Sequence, residues 1–87
     1  MDADMENEIR WWIRDWRVRM NSGVGNRRKS SQTAKADALY LTKQIADGTF
    51  ATTAVVDFVR LAGFPSVTAD HVITVASAML ERMQVPA

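Results

Sequence analysis

Residues 7–20, NEIRWWIRDWRVRM, decide the fold, because they hold all three tryptophans of this 87-residue chain. Apolar side chains recur there at helical spacing and form one stripe, which predicts an amphipathic helix packed against a core. The stripe consists of Met5, Ile9, Trp12, Ile13, Trp16 and Met20. The rest of a small helical domain is expected to assemble around this face.

The opposite side of the same helix has an unusual composition. Trp11 and Val18 project there beside Arg10 and Arg14, away from the predicted core stripe. Tryptophan and arginine are among the residue types most enriched in binding hot spots. The residues Arg10, Trp11, Arg14 and Val18 are therefore the candidate contacts for a protein partner.

Composition limits the class of protein. Apolar residues make up 47% of the chain and charged residues 24%, which is typical of a folded globular domain rather than a disordered one. The length predicts one domain. The acidic start MDADMENE and the absence of a long apolar run argue against a targeting peptide and a membrane span, and the lack of cysteine fits a reducing compartment. We therefore expect a cytoplasmic protein without membrane association.

The later part of the chain predicts three more helices. Gly48 and Gly63 are placed to end helices, and Pro65 prevents continuation of the third. The predicted helices cover residues 4–20, 33–47, 52–62 and 68–84. Between the first two lies NSGVGNRRKSSQ, residues 21–32, which predicts a long, flexible, basic loop. The predicted fold is therefore a small all-α four-helix domain.

The helical periodicity also predicts which side chains form the core. Besides the first-helix stripe, the predicted core residues are Ala34, Ala38, Leu41, Ile45, Phe50, Val55, Phe58, Val59, Ala62, Ala69, Val72, Ala76, Met79, Leu80 and Met83. Leu39 and Ala46 fall off these stripes and indicate contact on a second side of their helix.

No catalytic or metal-binding pattern is present in the sequence. His71 is the sole histidine, and no carboxylate lies three or four residues from it. A histidine near the start of a helix is usually a surface residue or a local cap. Neither a phosphate-binding glycine motif nor a nucleophile motif occurs around the serines. We expect a protein that is not an enzyme and that needs neither cofactor nor metal.

Positive charge concentrates in the middle of the chain, although the net charge is only +1. Arg27, Arg28 and Lys29 are followed by Ser30 and Ser31, a combination suited to phosphate contacts through charge and hydroxyl groups. The candidate nucleic-acid-binding residues are Arg14, Arg17, Arg27, Arg28, Lys29 and Lys35. A solvated loop is the alternative interpretation of the cluster.

Residues 60–80, RLAGFPSVTADHVITVASAML, have the broad shape of a helix-turn-helix motif. However, no lysine or arginine occurs in the last helix before Arg82, whereas a recognition helix usually carries a long polar or cationic side chain to the base edges. Any cations that contact DNA would then come from the first helix and its loop.

Two functions follow from the sequence. The first is a small DNA-binding regulator that uses the basic loop and the arginine-rich first helix, with a possible homodimer built on the first or last helix. The alternative is a protein-binding adaptor or inhibitor that uses the Trp11 face. The arginine and lysine cluster favours the first function, and the acidic excess after residue 46 disfavours it.

Overall fold

The computed structural model describes the backbone of residues 1–22 and 31–84 and the side chains of residues 1–20 and 35–84. These ranges contain four helices and no strand: α1 (Ala3–Ser22), α2 (Ser31–Ala46), α3 (Phe50–Leu61) and α4 (Ala69–Gln84). The predicted all-α class is confirmed. Each helix begins and ends within two residues of its predicted bounds.

The predicted loop over residues 21–32 is wrong at both ends. Residues 21 and 22 continue α1, and residues 31 and 32 already belong to α2. Serine, asparagine and glutamine are tolerated in the end turns of helices, so their polarity did not mark the helix boundary. The remaining stretch, residues 23–30, lies outside the described residues, and the predicted contacts Arg27, Arg28 and Lys29 lie in it.

Local signals explain where the helices begin and end. The Asp2 carboxylate accepts a hydrogen bond from the Met5 backbone N–H at 2.8 Å and so caps α1. Gly48 has φ = +77° and follows α2, where its N–H donates to the Ile45 carbonyl and the next N–H donates to the Gln44 carbonyl. This is the Schellman arrangement that favours glycine. The predicted stop at Gly48 is therefore confirmed.

The core lies between all four helices, and α1 contacts each of the other three. Ile9 and Ile13 of α1 are fully buried, as are Ile45 of α2 and Val59 of α3, so the predicted apolar stripes meet in one cluster. α2 makes its most extensive contacts with α4. Burial of such side chains stabilises the fold by about 1.5–3 kcal/mol each.

One side of α1 packs against α3 through an aromatic cluster, which we define as Trp12, Trp16, Phe58, Asp15 and Arg19. The Trp12 and Phe58 rings stack with their centroids 4.8 Å apart and an interplanar angle of 21°. The Arg19 guanidinium lies 5.6 Å from the Phe58 ring and pairs with the Asp15 carboxylate at 2.7 Å. This exposed arginine thus has both an ion-pair partner and an aromatic contact within the fold.

Phe50 was expected in the core, and this prediction is wrong because its side chain is 80% exposed. α3 begins at Phe50, two residues earlier than predicted, so the inward positions of the first turn are taken by Ala51 and Thr52. The Thr52 hydroxyl donates to the carbonyl of Ile45, which satisfies it inside the core. Phe50 is left on the solvent side with Asp57.

Four other core predictions are also wrong, and they concern Met20, Ala62, Ala69 and Met83. Met20 is 42% exposed, because the packed stripe of α1 ends at Trp16, one turn earlier. Ala62 and Ala69 are exposed, since Ala62 follows the end of α3 and Ala69 is the first residue of α4. The periodicity located the faces of the helices correctly but not the points at which these faces leave the core.

Candidate interaction site

The outer face of α1 is exposed as the sequence predicted, with Trp11 56% and Val18 63% exposed. Together with Arg14 and Asp15 they line a shallow hollow of about 310 Å³, which we call the tryptophan hollow. The Trp11 ring stands edge-on to the Trp12 ring, with centroids 4.8 Å apart and an interplanar angle of 84°. Because Trp12 is packed in the aromatic cluster, its contact with Trp11 holds this exposed ring in place.

A second depression lies between α1 and α4 and is lined mainly by arginines. It has a volume of about 170 Å³. Its lining consists of Arg10, Arg14, Arg17, Met79, Arg82 and Met83, and we call it the arginine groove. The three α1 arginines follow at intervals of four and three residues, so they fall on one side of that helix. The last two turns of α4 add the fourth cation and the two methionines.

Two of these arginines are held by the fold. Arg10 pairs with the Glu6 carboxylate at 3.3 Å, but its Nε is buried and has no hydrogen-bond partner among the described residues. Arg17 reaches across to α2, where its Nη1 donates to the buried Thr42 hydroxyl at 3.2 Å, and the same nitrogen lies 3.6 Å from the Met83 sulfur. Arg17 therefore joins α1 to α2 and α4.

The groove concentrates positive charge. Burial lowers the pKa of Arg17 from its ordinary value, and the positive charge of Arg14 lowers it further. Arg14 and Arg82 are exposed, and neither makes an ion pair or hydrogen bond within the described part of the chain. Guanidinium groups remain protonated at neutral pH, so the groove holds unneutralised cations.

A third hollow, of about 380 Å³, continues from the arginine groove onto α2. Its lining consists of Lys35, Ala36, Ala38, Leu39 and Met83, and we call it the lysine hollow. Arg14 borders both the tryptophan hollow and the arginine groove, and Met83 borders both the arginine groove and the lysine hollow. The three depressions thus form one continuous surface, which we call the basic face.

The basic face contains residues from both sets of sequence candidates. Of the candidate protein contacts, Trp11, Arg14 and Val18 line the tryptophan hollow, and Arg10 lines the arginine groove. The described nucleic-acid candidates Arg14, Arg17 and Lys35 lie along the same face.

Sequence reasoning favoured the core over a partner surface for Met79 and Met83, and it did not include Arg82 in the site. No local pattern links the end of α4 to α1, because only tertiary packing brings these helices together. Met83 was expected in the core but is 37% exposed and lines two of the depressions.

His71 acts as a local cap at the start of α4. The Thr68 backbone N–H donates to His71 Nδ1 at 3.1 Å, and the His71 backbone N–H donates to the Thr68 hydroxyl at 3.3 Å. These reciprocal bonds satisfy donors at the helix N-terminus. The interpretation of His71 as a surface residue or cap is confirmed.

The pair α3 and α4 differs from a helix-turn-helix. Residues 62–68 separate the two helices, a longer connection than the turn of about three to four residues in that motif. One face of α4 is buried through Val72, Val75 and Ala76, and its exposed Thr74 hydroxyl donates to the Asp70 carbonyl. No lysine or arginine precedes Arg82 in α4, so the exposed face of this helix presents no cation before its last turn.

Among residues 1–22 and 31–84, no three histidine or carboxylate side chains come close enough to hold a metal ion. None of the helices in those ranges is long and apolar enough to cross a membrane. Comparison with protein families, with curated proteins and with solved structures gave no match to this chain.

Proposed function

We propose that this protein is a non-enzymatic binding module, an adaptor or inhibitor, that uses the basic face to hold an acidic protein partner. The observation that carries this proposal is the continuity of the face. Arg14 joins an aromatic hollow to a cationic groove, and Met83 joins that groove to an apolar hollow on α2. A partner surface with acidic and apolar side chains is complementary to this alternation.

The apolar part of the face favours protein over nucleic acid. Trp11 is more than half exposed yet supported by Trp12, so it can bury a large rigid surface against a partner at low entropic cost. Met79 and Met83 line the groove, and methionine side chains adapt to the shape of a bound apolar group. Phosphate contacts require none of these apolar side chains.

DNA binding is the second candidate, and the charge of the basic face favours it. Arg10, Arg14, Arg17, Lys35 and Arg82 line the adjoining hollows, and five cations along one surface suit contacts with successive phosphates. A homodimer would double this surface. In either case the face would act through binding alone.

Capture of proteins from cell extract on the immobilised full chain, with quantitative mass spectrometry, tests the proposal. Trp11→Ala removes the aromatic surface, and Arg14→Gln removes the cation shared by two of the depressions. Lys43→Gln is the matched control, because Lys43 is an exposed cation of α2 that lines none of the three depressions. We expect Trp11→Ala to weaken the binding of a specific partner by about 2 kcal/mol, so that this protein is no longer captured. The control Lys43→Gln should still capture it.

Titration of the same variants with random duplex DNA at low and moderate salt separates the two candidates. Binding of DNA that falls steeply with salt, weakens in Arg14→Gln and persists in Trp11→Ala would favour the nucleic-acid function. A captured protein that depends on Trp11, together with weak DNA binding, would favour the adaptor or inhibitor function.

A further inference from the structure

We propose that the arginine groove is a phosphate-binding site that takes a phosphorylated serine or threonine side chain of the protein partner. This inference rests on the proposed protein-binding function and specifies the chemistry that the partner would present. It assigns a role above all to Arg14 and Arg82, for which the described part of the chain provides neither an ion pair nor a hydrogen bond.

The first argument is the unneutralised charge of the groove. None of the described residues that line it is a carboxylate, and four of the six are arginines. Glu6 pairs with Arg10 from outside the groove, which leaves the charges of Arg14, Arg17 and Arg82 without a carboxylate partner among the described residues. Like charges three or four residues apart on one helix destabilise it, so the fold alone does not favour this arrangement.

The second argument is the state of the individual donors. Arg10 Nε is buried and has no partner within the described part of the chain, and a buried unpaired donor is costly unless a ligand satisfies it. Arg17 is half-buried and has a lowered pKa because of burial and the nearby Arg14 charge. An anion in the groove would offset the like charge that lowers the pKa of Arg17.

The third argument concerns which anion fits. A phosphorylated hydroxyl side chain carries a charge of about −1.5 to −2 at neutral pH and has three strong acceptor oxygens, so it can bridge several guanidinium groups. A carboxylate carries one charge and two oxygens. A phosphodiester of nucleic acid also carries only one charge per phosphate, less than a phosphorylated side chain.

The apolar part of the groove distinguishes a protein-borne phosphate from other sources. Met79 and Met83 lie beside the arginines, and the lysine hollow with Leu39 continues from Met83. A peptide that places its phosphate among the arginines would lay neighbouring apolar side chains over these methionines.

The test is a titration of the isotope-labelled full chain, followed by NMR of the arginine Nε–H and backbone amide signals. The probe is N-acetyl-O-phosphoserine amide. The matched ligands are N-acetyl-glutamate amide, which carries a carboxylate, and dimethyl phosphate, which models a nucleic-acid phosphodiester. We expect the phosphoserine probe to bind at least about tenfold more tightly than either, with the shifts concentrated at Arg10, Arg14, Arg17 and Arg82.

The double variant Arg14→Gln/Arg82→Gln should weaken phosphoserine binding about tenfold or more, because both side chains are exposed cations of the groove. Lys43→Gln removes the same kind of charge outside the groove and should leave the affinity unchanged. Backbone spectra that match the unmodified protein establish that each variant is folded.

Three results would overturn the inference. No shift of the groove arginines with the phosphoserine probe would exclude a phosphate site. Equal affinity for the glutamate derivative would indicate an ordinary carboxylate site, and the protein-binding function would still stand on Trp11-dependent capture. Equal affinity for dimethyl phosphate would point to nucleic acid and would count against the proposed function as well.

Discussion

The two sides of α1 combine arginine with large apolar side chains in opposite ways. On the α3 side, Arg19 pairs with Asp15 at 2.7 Å and lies 6.0 Å from the Trp12 ring, so its charge and its stem are both used by the fold. On the α4 side, Arg14 and Arg82 border the arginine groove and have no hydrogen-bond or ion-pair partner in the described ranges. The same residue type is structural on one side of α1 and unsatisfied on the other.

This difference shows how to separate stability from binding in a small domain. In the aromatic cluster, the Arg19 charge is paired with Asp15 of the same helix and lies beside stacked rings. In the arginine groove Arg10 has such a partner in Glu6, but among the described residues Arg14, Arg17 and Arg82 have none, which is the arrangement expected where a ligand supplies the missing anion. Substitutions on the two sides should therefore affect different measurements.

The largest expected contrast is between the neighbouring tryptophans. Trp12→Ala removes the ring stacked on Phe58 and should lower the free energy of unfolding by about 3 kcal/mol, because half-buried aromatic packing is lost. Trp11→Ala removes an exposed ring and should change the stability by less than about 0.5 kcal/mol. Denaturant unfolding followed by circular dichroism measures both.

Trp12→Phe is the control for this pair, because it retains an aromatic ring against Phe58 and should recover part of the lost stability. Equal destabilisation by the two alanine substitutions would mean that Trp11 is a structural residue. It would also remove Trp11 from the proposed binding face.

The division between the two sides of α1 was partly predictable from the sequence. The stripe through Ile9, Ile13 and Trp16 identified the inward face, and the positions of Trp11 and Val18 off that stripe predicted their exposure. The helix stops at Gly48 and Gly63 were predictable because the Schellman arrangement requires a residue with positive φ at each.

The arginine groove was not predictable, because it depends on tertiary packing. Arg17 was expected to contact phosphates, and in the fold it reaches Thr42 on α2, a contact that no periodicity encodes. Arg82 joins the groove from the far end of the chain. Phe50 shows the same limit for the core, since a shift of two residues in the start of α3 turned it to solvent.

The second expected effect concerns the link between the groove and the core. Thr42→Val removes the hydroxyl that accepts from Arg17 and should lower the free energy of unfolding by about 1 kcal/mol, because a half-buried guanidinium loses its acceptor. In an Arg17→Met background the same substitution should cost clearly less, since the interaction is already absent. Chemical denaturation of the four proteins in this cycle gives the coupling energy. Equal costs in both backgrounds would show that the Arg17 contact contributes nothing to stability.

The smallest expected effects concern two exposed arginines of α1, Arg14 and Arg19. Their substitution should change the free energy of unfolding in opposite directions. Arg19→Gln should lower the free energy of unfolding by about 0.5 kcal/mol, because it removes the Asp15 pair and the contacts with the aromatic rings. Arg14→Gln should raise it by about 0.3 kcal/mol, because it removes a like charge next to Arg17. High salt should shrink both differences, since these charges are exposed enough to be screened. A loss of stability in Arg14→Gln at low salt would mean that Arg14 has a structural partner, and the groove would then lose its clearest sign of a missing anion.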